Sequence, residues 1–373
     1  MAKKLSVEMK IKKFITWVIY SGKSPVVIDK PYEYIPITDD SKILFLRQDR
    51  IGDVIVSTPT FKLIKKKYPN LKMDILLGEK NISTQNALNN YFNHIYFYKK
   101  DISEIFKLIR TLRKTEYTAV VDLLARTSLT SAIFLRLLKA KNKIGINEVD
   151  NVNTYSLVIN DVNKSTQHII ERTASILRAF NINPEVENLE LEYKLSDEII
   201  QKVKSNAAID KTIFTLGINL SGSRRSRFWG AQNNIDFINQ IVSKYNDIEV
   251  LLFATPDYYD IVETISSQTT KARLVKTASL DEYAAAISLC DGLLTPDTSA
   301  VQYSAAFKVP CIALYNNYRY NSEEMPWFPY KAEQYSIEGT SDFMDDIPVE
   351  TVIERFELVY NDYLSAKSKS PNS

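Results

Sequence analysis

The sequence is poor in the residues on which many metal-binding, redox-active and disulfide-rich proteins depend. Its 373 residues include two cysteines, Cys290 and Cys311, and two histidines, His94 and His168. Both cysteines lie in apolar segments, which indicates small core residues in a reducing compartment and not a disulfide framework. No cysteine and histidine have the spacing of metal ligands, so the sequence argues against a zinc-binding module.

Several longer patterns are also missing. No apolar run approaches the roughly 20 residues that a membrane-spanning helix needs. Neither Gly52 nor the pair Gly217 and Gly222 belongs to a G-x-G-x-x-G fingerprint, which argues against a nucleotide-dependent dehydrogenase, and there is no P-loop. No Asp-x-Asp pair is present to hold a metal ion on a diphosphate, and no tandem repeat occurs.

The composition is that of a soluble globular protein large enough for two domains, with 45% apolar and 25% charged residues. From residue 42, short apolar runs alternate with amphipathic helical patterns, which predicts βαβ units and parallel sheets. The first series of strands is predicted at Ile43–Leu46, Met73–Leu77, Ile95–Tyr98, Ala119–Leu123 and Lys143–Ile146. The second series is predicted at Thr212–Asn219, Ile248–Phe253, Leu274, Gly292–Thr295 and Cys311–Tyr315.

This alternation predicts two doubly wound α/β halves with a cleft between them. We expect an N-terminal extension and connector over 1–41, a first domain over 42–200, a second domain over 201–347, and a C-terminal helix and tail over 348–373. The junction is expected where periodicity is lost between about 185 and 210.

Positive charge is concentrated at the N-terminus. Residues 1–20 contain five lysines and one acid, hence +4, so the rest of the chain carries about −2 of the total of +2. A nucleic-acid-binding protein would carry its positive charge on the folded body, so we expect no nucleic-acid partner. Apolar residues in this segment recur at helical spacing, which predicts an interfacial helix on an anionic membrane surface. The alternative is a helix packed on the protein body.

The stretch Ile43–Pro59 is the first that indicates a functional site. An apolar strand is followed by a polar loop, by Gly52 and Asp53, and then by a helical pattern. In open α/β sheets, ligands bind beyond the carboxyl ends of strands, where this loop is expected to lie. Asp53 is therefore either a helix N-cap or a functional carboxylate.

The stretch Gly217–Trp229 has the features of a phosphate-binding loop. After a strand it contains small and hydroxyl residues, including Ser221, Gly222 and Ser223, and then three arginines within four positions. Small residues let backbone N–H groups approach an anion, and hydroxyl and guanidinium groups can complete the site. The alternative is an ordinary basic surface loop.

The stretch Leu293–Tyr315 follows the order strand, Asp-Thr-Ser turn, helix and strand. Asp297 or Thr298 is expected to cap the helix, and the free N–H groups that begin it form an anion site. Capping alone would also explain Asp297. Two anion-binding turns in one domain favour a bound diphosphate.

Together these three stretches resemble glycosyltransferase family 9, the heptosyltransferases of lipopolysaccharide core assembly. The resemblance covers about residues 42–335 and rests mainly on Arg50–Val54 with Thr58-Pro59, on Asn219–Arg227 with Trp229, and on Asp297-Thr-Ser with Ala305-Ala306 and Val309-Pro310. It implies a GT-B fold, which consists of two Rossmann-like domains facing each other across a cleft. It also implies inverting transfer of heptose from ADP-heptose to an acidic glycolipid acceptor, with no metal and no other cofactor.

The resemblance also implies roles for individual residues. Asp53 falls on the catalytic base, and Arg227 takes the place of a phosphate-binding lysine. Gln302 stands where the family usually has histidine, and Ser299 replaces a glycine, so the turn at Ser299 requires a negative φ or strain. The donor-binding residues are expected to be Ser221, Gly222, Ser223, Arg227, Asp257, Asp297, Thr298, Ser299 and Gln302. The acceptor-binding residues are expected to be Arg50, Gly52, Arg126 and Arg172.

Two alternatives remain open from the sequence. The chain could be a non-catalytic GT-B module that binds a nucleotide sugar, which the changes at Ser299 and Gln302 favour. It could also be an enzyme of the same family with a protein acceptor or a different sugar nucleotide. In the main interpretation we expect a cytoplasmic enzyme, peripheral on the inner face of the inner membrane.

Overall fold

A computed structural model of the chain describes residues 23–99, 101–124, 128–146, 152–159, 162–222, 224–317 and 324–369. The chain divides into two compact units. The first unit contains the described residues up to Asn163 together with Ile169–Leu189, and the second contains Lys164–His168 and the described residues from Glu190 onward. The basic segment 1–20, predicted to bind a membrane surface, lies outside the described residues.

The first unit is built on a parallel sheet of seven strands within the described residues. The strands are β1 Val26–Val27, β2 Lys42–Arg47, β3 Lys72–Gly78, β4 His94–Tyr98, β5 Tyr117–Asp122, β6 Ala140–Ile146 and β7 Leu157–Ile159. Their order is β1-β7-β6-β5-β2-β3-β4. The central strand β2 is almost entirely buried, as expected for a parallel strand covered on both faces.

Helices cover this sheet. They are α1 Ile51–Ile55, α2 Thr58–Lys67, α3 Gln85–Leu88, α4 Ile102–Leu112, α5 Leu129–Leu137 and α6 Ile169–Ala174. The N-caps of α4 and α5 are Asp101 and Ser128, whose side chains accept hydrogen bonds from Glu104 and Ser131 N–H. Both helices pack on one apolar core that includes Leu44, Val120 and Phe134.

The second unit repeats this architecture with six parallel strands in the part of the chain that is described. They are β8 Phe214–Asn219, β9 Ile248–Phe253, β10 Ala272–Leu274, β11 Gly292–Pro296, β12 Cys311–Tyr315 and β13 Ile337–Glu338. Their order is β10-β9-β8-β11-β12-β13. The helices are α7 Asp197–Asn206, α8 Ala231–Lys244, α9 Tyr259–Ser267, α10 Leu280–Ser288, α11 Ser299–Phe307 and α12 Val349–Lys369.

The structure corrects three expectations about the organisation of the chain. The division lies between Leu189 and Glu190, which is inside the expected range of about 185–210 but before the expected boundary of 200/201, and an ion pair links Lys202 of α7 to Glu282 of α10. The supposed connector before residue 42 includes β1, which pairs with β7. Strands β1, β7 and β13 were not predicted, because two or three residues are too short to form a recognisable apolar run.

Each sheet has a switch point, the place where the order in which the chain adds strands reverses. In the first, the chain moves from β2 outward to β4 and returns to β5 on the other side of β2, so the switch point lies between β2 and β5. In the second, the corresponding point lies between β8 and β11. Open α/β sheets bind ligands beyond the carboxyl ends of the strands at such points. Among the described residues, no helix is both long and apolar enough to cross a membrane.

Candidate active site

Arg47 organises the switch point of the first unit. It ends β2 and its side chain is buried. Its Nε donates to the Asp53 carbonyl at 2.8 Å, and its Nη1 donates to the Leu123 carbonyl at 2.7 Å and to Asp49 Oδ2 at 3.2 Å. One guanidinium therefore joins β2, the start of α1 and the end of β5. A buried charge requires such partners, because it has lost its hydration.

Asp53 occupies the first turn of α1, but it is not the N-cap. Arg50 is the N-cap, and Asp53 is the third helical residue, whose Oδ2 accepts a hydrogen bond from Arg50 N–H at 3.1 Å. Its Oδ1 lies 3.6 Å from Arg47 Nη2, and its side chain is 14% exposed. The carboxylate is thus oriented from two sides while part of it remains accessible.

Two further carboxyl groups surround Arg47. Burial raises the pKa of Asp49 to about 7, and the negative charges of Asp53 and Asp122 add to this increase, against the opposing effect of Arg47. Burial also raises the pKa of Asp122 to about 7, opposed by the Leu124 N–H, the Tyr155 hydroxyl, Arg47 and Ser131. Because one guanidinium faces three carboxyl groups, Asp49 and Asp122 are each only partly ionised near neutral pH.

Gly145 explains how Tyr155 reaches Asp122. Gly145 is the register partner of Asp122 on the neighbouring strand. A Cβ atom there would lie 2.2 Å from the Tyr155 ring, so only glycine leaves space for it. The Tyr155 hydroxyl donates to Asp122 Oδ2 at 3.0 Å. The short motif Ile144-Gly145 therefore has a packing role next to the site.

Asn219 organises the switch point of the second unit. It ends β8, and its Nδ2 donates to Thr295 Oγ1 at 2.9 Å and to Thr298 Oγ1 at 3.1 Å. Thr298 is the N-cap of α11 and accepts a hydrogen bond from Ala300 N–H. This confirms a capped helix N-terminus at the carboxyl end of β11, with Thr298, not Asp297, as its cap.

Arg227 is held against the same turn. Its Nη1 donates to the Asp297 carbonyl at 2.6 Å, and its Nη2 lies 2.8 Å from Asp297 Oδ2. A Cβ atom on Gly222 would lie 2.8 Å from the Arg227 Cβ, so glycine is needed for the loop to approach this residue. The arginine loop and the Asp-Thr-Ser turn, separate in sequence, thus form one polar cluster at the carboxyl ends of β8 and β11.

The neighbouring loop after β9 is tied to this cluster. Ser221 Oγ accepts a hydrogen bond from Thr255 N–H at 2.6 Å, and the two hydroxyl groups lie 3.2 Å apart. Asp257 follows in the 3₁₀ turn Pro256–Tyr258 and is exposed at the same edge of the sheet. Its contact with a ribose remains a prediction.

Ser299 and Gln302, which the resemblance marks as departures from the family pattern, differ in how well the structure accommodates them. Ser299 begins α11 and is not among the residues with positive φ, so serine is accommodated without backbone strain. Gln302 is buried, and its Nε2 lies at the limit of hydrogen bonding, 3.5 Å from the Trp327 carbonyl. No hydrogen-bond partner for its Oε1 lies within the described ranges.

The predicted acceptor-binding residues are distributed along the first unit. Arg50 is exposed, Gly52 is buried in α1, and Arg172 is buried in α6. Arg126 and Ser223 lie outside the described residues. Their predicted roles in binding stay predictions. No three His, Cys, Asp or Glu side chains of the described residues are grouped so that they could hold a metal ion.

Sequence reasoning did not assign a role to Arg47, Asp49, Asn219 or Thr295. Each lies at or just after the end of a buried strand, and a polar residue at such a position was the feature of the sequence that could have indicated a site. The signal becomes specific only when strand order is known, since only strands beside a switch point bring such residues together.

Comparisons with known sequences identify the family. A sequence model of glycosyltransferase family 9 (heptosyltransferase) matches residues 105–342, more than half of the chain. The lipopolysaccharide core heptosyltransferase OpsX of Haemophilus influenzae is 21% identical over 284 residues, which cover 73% of this chain and 78% of that protein. Lipopolysaccharide heptosyltransferase 3 of Escherichia coli is 34% identical over 100 residues, which cover 25% of this chain and 28% of that protein.

Solved structures show the same fold. A family 9 glycosyltransferase from Veillonella parvula has a TM-score of 0.73 at 18% identity, covering 90% of this chain and 100% of that one. The E. coli heptosyltransferase WaaC, solved with ADP, has a TM-score of 0.67 at 15% identity, covering 85% of this chain and 99% of that one. The predicted GT-B fold is therefore confirmed.

Proposed function

The chain belongs to glycosyltransferase family 9, and from this premise we propose that it transfers heptose from ADP-heptose to an acidic acceptor of the lipopolysaccharide core. The proposed reaction inverts the anomeric configuration and uses no metal ion. We further propose that the protein acts as a peripheral protein on the inner face of the inner membrane, where a lipid-linked acceptor would be available. Residues 1–20, with a net charge of +4, would support this association.

The orientation of Asp53 is the single observation that carries the catalytic proposal. The Arg50 N–H and the Arg47 guanidinium hold its carboxylate at a switch point, and the carboxylate stays partly accessible. A base in this position can take the proton of an acceptor hydroxyl, which then attacks the anomeric carbon as the bond to the diphosphate breaks. The adjacent Asp122 is less suited to this role, because it is fully buried and out of reach of an acceptor hydroxyl.

The cluster of the second unit supports the donor part of the proposal. Arg227 uses two N–H groups on Asp297, and its other three have no acceptor in the described part of the chain. Its side chain is 22% exposed. It could therefore donate to a phosphate while Asp297 holds it in place. The N–H groups at the start of α11 would bind the same anion, and together they would stabilise the leaving diphosphate.

The substitution Asp53→Asn tests this function. Asparagine can still accept the hydrogen bond from Arg50 N–H, so the start of α1 keeps its capping interaction. It cannot take a proton, so we expect the rate of heptose transfer to fall roughly 10²–10⁴-fold. ADP affinity should be unchanged, because the donor cluster is built from residues of the second unit. The measurement is steady-state transfer with ADP-heptose, alongside calorimetry with ADP.

Glu79→Gln is the matched control, because Glu79 is an exposed carboxylate that follows β3 at the same edge of the sheet. It should keep the wild-type rate. An Asp53→Asn enzyme with near wild-type turnover would show that Asp53 only supports the helix. Wild-type protein that binds ADP-heptose without releasing ADP in the presence of acceptor would indicate a non-catalytic binding module.

Gln302 favours a second candidate, an enzyme of the same family with a different sugar nucleotide. Glutamine can donate a hydrogen bond but cannot carry the charge of a histidine. A thermal-shift panel of sugar nucleotides distinguishes the candidates. A donor present at 100 times its dissociation constant should add about 2.7 kcal/mol of stability. A larger shift with another sugar nucleotide than with ADP-heptose would replace the proposed donor.

A further inference from the structure

A cluster of cations occupies one corner of the first unit. We use the term basic corner for six residues: Arg113, Lys114, Arg136, Lys139, Lys141 and Lys143. Arg113 and Lys114 follow α4 and precede β5. Arg136 lies in the last turn of α5, Lys139 directly precedes β6, and Lys141 and Lys143 lie in the first four residues of β6. Because Tyr117 pairs with Ala140 and Val120 with Lys143, the backbone register places these segments side by side.

The positive charge of the basic corner is largely uncompensated. Between Arg110 and Lys143 the sequence has eight lysines and arginines against two acids, Glu116 and Asp122, and Asp122 is buried. Over the described ranges, no carboxylate forms an ion pair with Arg113, Lys114 or any of the three lysines. Partial burial and the charge of Arg136 lower the pKa of Lys143. Like charges held together on a folded surface indicate an anionic partner.

An exposed apolar edge lies beside the basic corner. The edge strand β1 is two strands from β6, a distance of about 10 Å at the usual spacing of sheet strands. Its residues Val26 and Val27 are 56% and 51% exposed. In sequence, five residues separate the basic N-terminal segment 1–20 from β1.

These observations identify the chemistry of the partner. A nucleic acid also presents phosphates, but proteins that bind single strands interleave their cations with exposed aromatic residues. None of the six residues of the basic corner is aromatic and the adjoining Tyr117 of β5 is buried, while the exposed Phe106 lies about 10 Å before Arg113 along α4. Cations next to exposed aliphatic side chains instead match a membrane surface, where lipid headgroups carry the negative charge and the apolar boundary lies just below them.

We propose that the basic corner, together with the exposed valines of β1, is a docking surface for an anionic phospholipid membrane. This inference builds on the proposed function, because a lipid-linked acceptor requires the enzyme to reach a membrane. It adds a second contact, on the folded body, to the one expected from residues 1–20. The binding test below needs neither donor nor acceptor, so its failure is distinct from a failure of the proposed reaction.

The test is flotation of the full-length protein with vesicles of phosphatidylethanolamine and phosphatidylglycerol, compared with phosphatidylcholine vesicles. The triple variant Lys114→Gln, Lys139→Gln, Lys141→Gln neutralises three exposed members of the corner. Each lysine near an anionic surface contributes about fivefold to binding, so the variant should bind on the order of 100-fold more weakly. Binding of the wild type should weaken with added salt.

The matched control neutralises three exposed lysines outside the corner, with Lys72→Gln, Lys276→Gln and Lys331→Gln. It has the same net charge and should bind like the wild type. A protein lacking residues 1–22 should retain salt-sensitive binding that the corner variant then removes. Unchanged vesicle binding by the corner variant would overturn the proposal. Loss of binding to a duplex DNA oligomer, with vesicle binding intact, would also overturn it and assign the corner to nucleic acid.

Discussion

At the scale of single residues, the site depends on arginines that each serve several acceptors. Arg47 connects a helix and two strands, and Arg227 holds the turn before α11 through both a carbonyl and a carboxylate. A planar guanidinium can do this because its five N–H groups point in fixed directions, which a lysine cannot reproduce. The resemblance implies a lysine of the family at this position, for which Arg227 would preserve the charge and add an internal anchor.

We expect Arg227→Ala to weaken ADP binding by roughly 1.5–3 kcal/mol, the value of a hydrogen bond to a charged group. The change also removes the cation beside Asp297, so that carboxylate would then repel a phosphate. Calorimetry with ADP measures the effect. Arg225→Ala, two positions away and exposed, is the control and should change affinity little. Equal affinities for the two variants would remove Arg227 from the donor site.

Asp122 is expected to make stability depend on pH. Its pKa is raised to about 7, compared with about 3.9 in an unfolded chain. The folded state therefore binds the proton more tightly, and the stabilisation is fully present below about pH 4 and lost as pH rises through about 7. Asp122→Asn cannot ionise, and its amide can keep bonds with Leu124 N–H and the Tyr155 hydroxyl.

The variant should therefore gain stability relative to the wild type as pH rises from about 4 to about 7, seen as a flatter plot of melting temperature against pH. Each kcal/mol corresponds to roughly 2–4 °C for a unit of this size. Asp39→Asn, which removes an exposed carboxylate of the same unit, is the control. Parallel curves for the wild type and Asp122→Asn would show that Asp122 is not protonated in the folded protein.

At the scale of elements, α12 is part of the second unit and not an appendage. Phe356 is fully buried, with its ring 5.9 Å from Phe214, 5.9 Å from Phe237 and 5.8 Å from Tyr245. This aromatic cluster joins α12 to β8 and α8. The predicted separation of residues 348–373 from the second domain is therefore wrong in structural terms, because the helix completes that domain's core.

Phe356→Ala should destabilise the protein by about 3–5 kcal/mol, because it leaves a cavity among rings that cannot close around it. Leu358, two residues later on the same helix, is 45% exposed. Leu358→Ala should change stability by no more than about 0.5 kcal/mol and is the internal control. Urea unfolding of both variants measures the difference. Similar midpoints for the two variants would contradict the packing described for α12.

At the scale of the whole molecule, the net charge of +2 conceals how the charges are distributed. Subtracting the basic N-terminus leaves about −2 for the folded body, which suggested that the body carries no cationic surface. The tertiary structure instead collects six cations at one corner of the first unit, where Glu116 is the exposed acid nearest in sequence. A sum over residues cannot reveal such segregation, because position on the surface depends on strand order.

The sequence by itself determined the main strands, the alternation of strands with helices, the family and the stretches that contain the site. These features depend on local periodicity, turn residues and short motifs, which can be seen without knowledge of distant contacts. Asp53 and Arg227 were both singled out in this way, and their roles stay predictions. The short strands β1, β7 and β13 were not, because their pairing comes from their neighbours in the sheet.

Only the tertiary structure decided which polar residues act together. Arg47 meets Leu123, 76 positions later, and Arg227 meets Asp297, 70 positions later, because β2 lies beside β5 and β8 lies beside β11. It also decided that Asp53 is not the N-cap of α1 but accepts a hydrogen bond from the N-cap residue, Arg50. Burial in the tertiary structure likewise raises the pKa of Asp49 and of Asp122. The physical reason is the same in each case: burial and pairing depend on sheet order and register, which local sequence patterns do not encode.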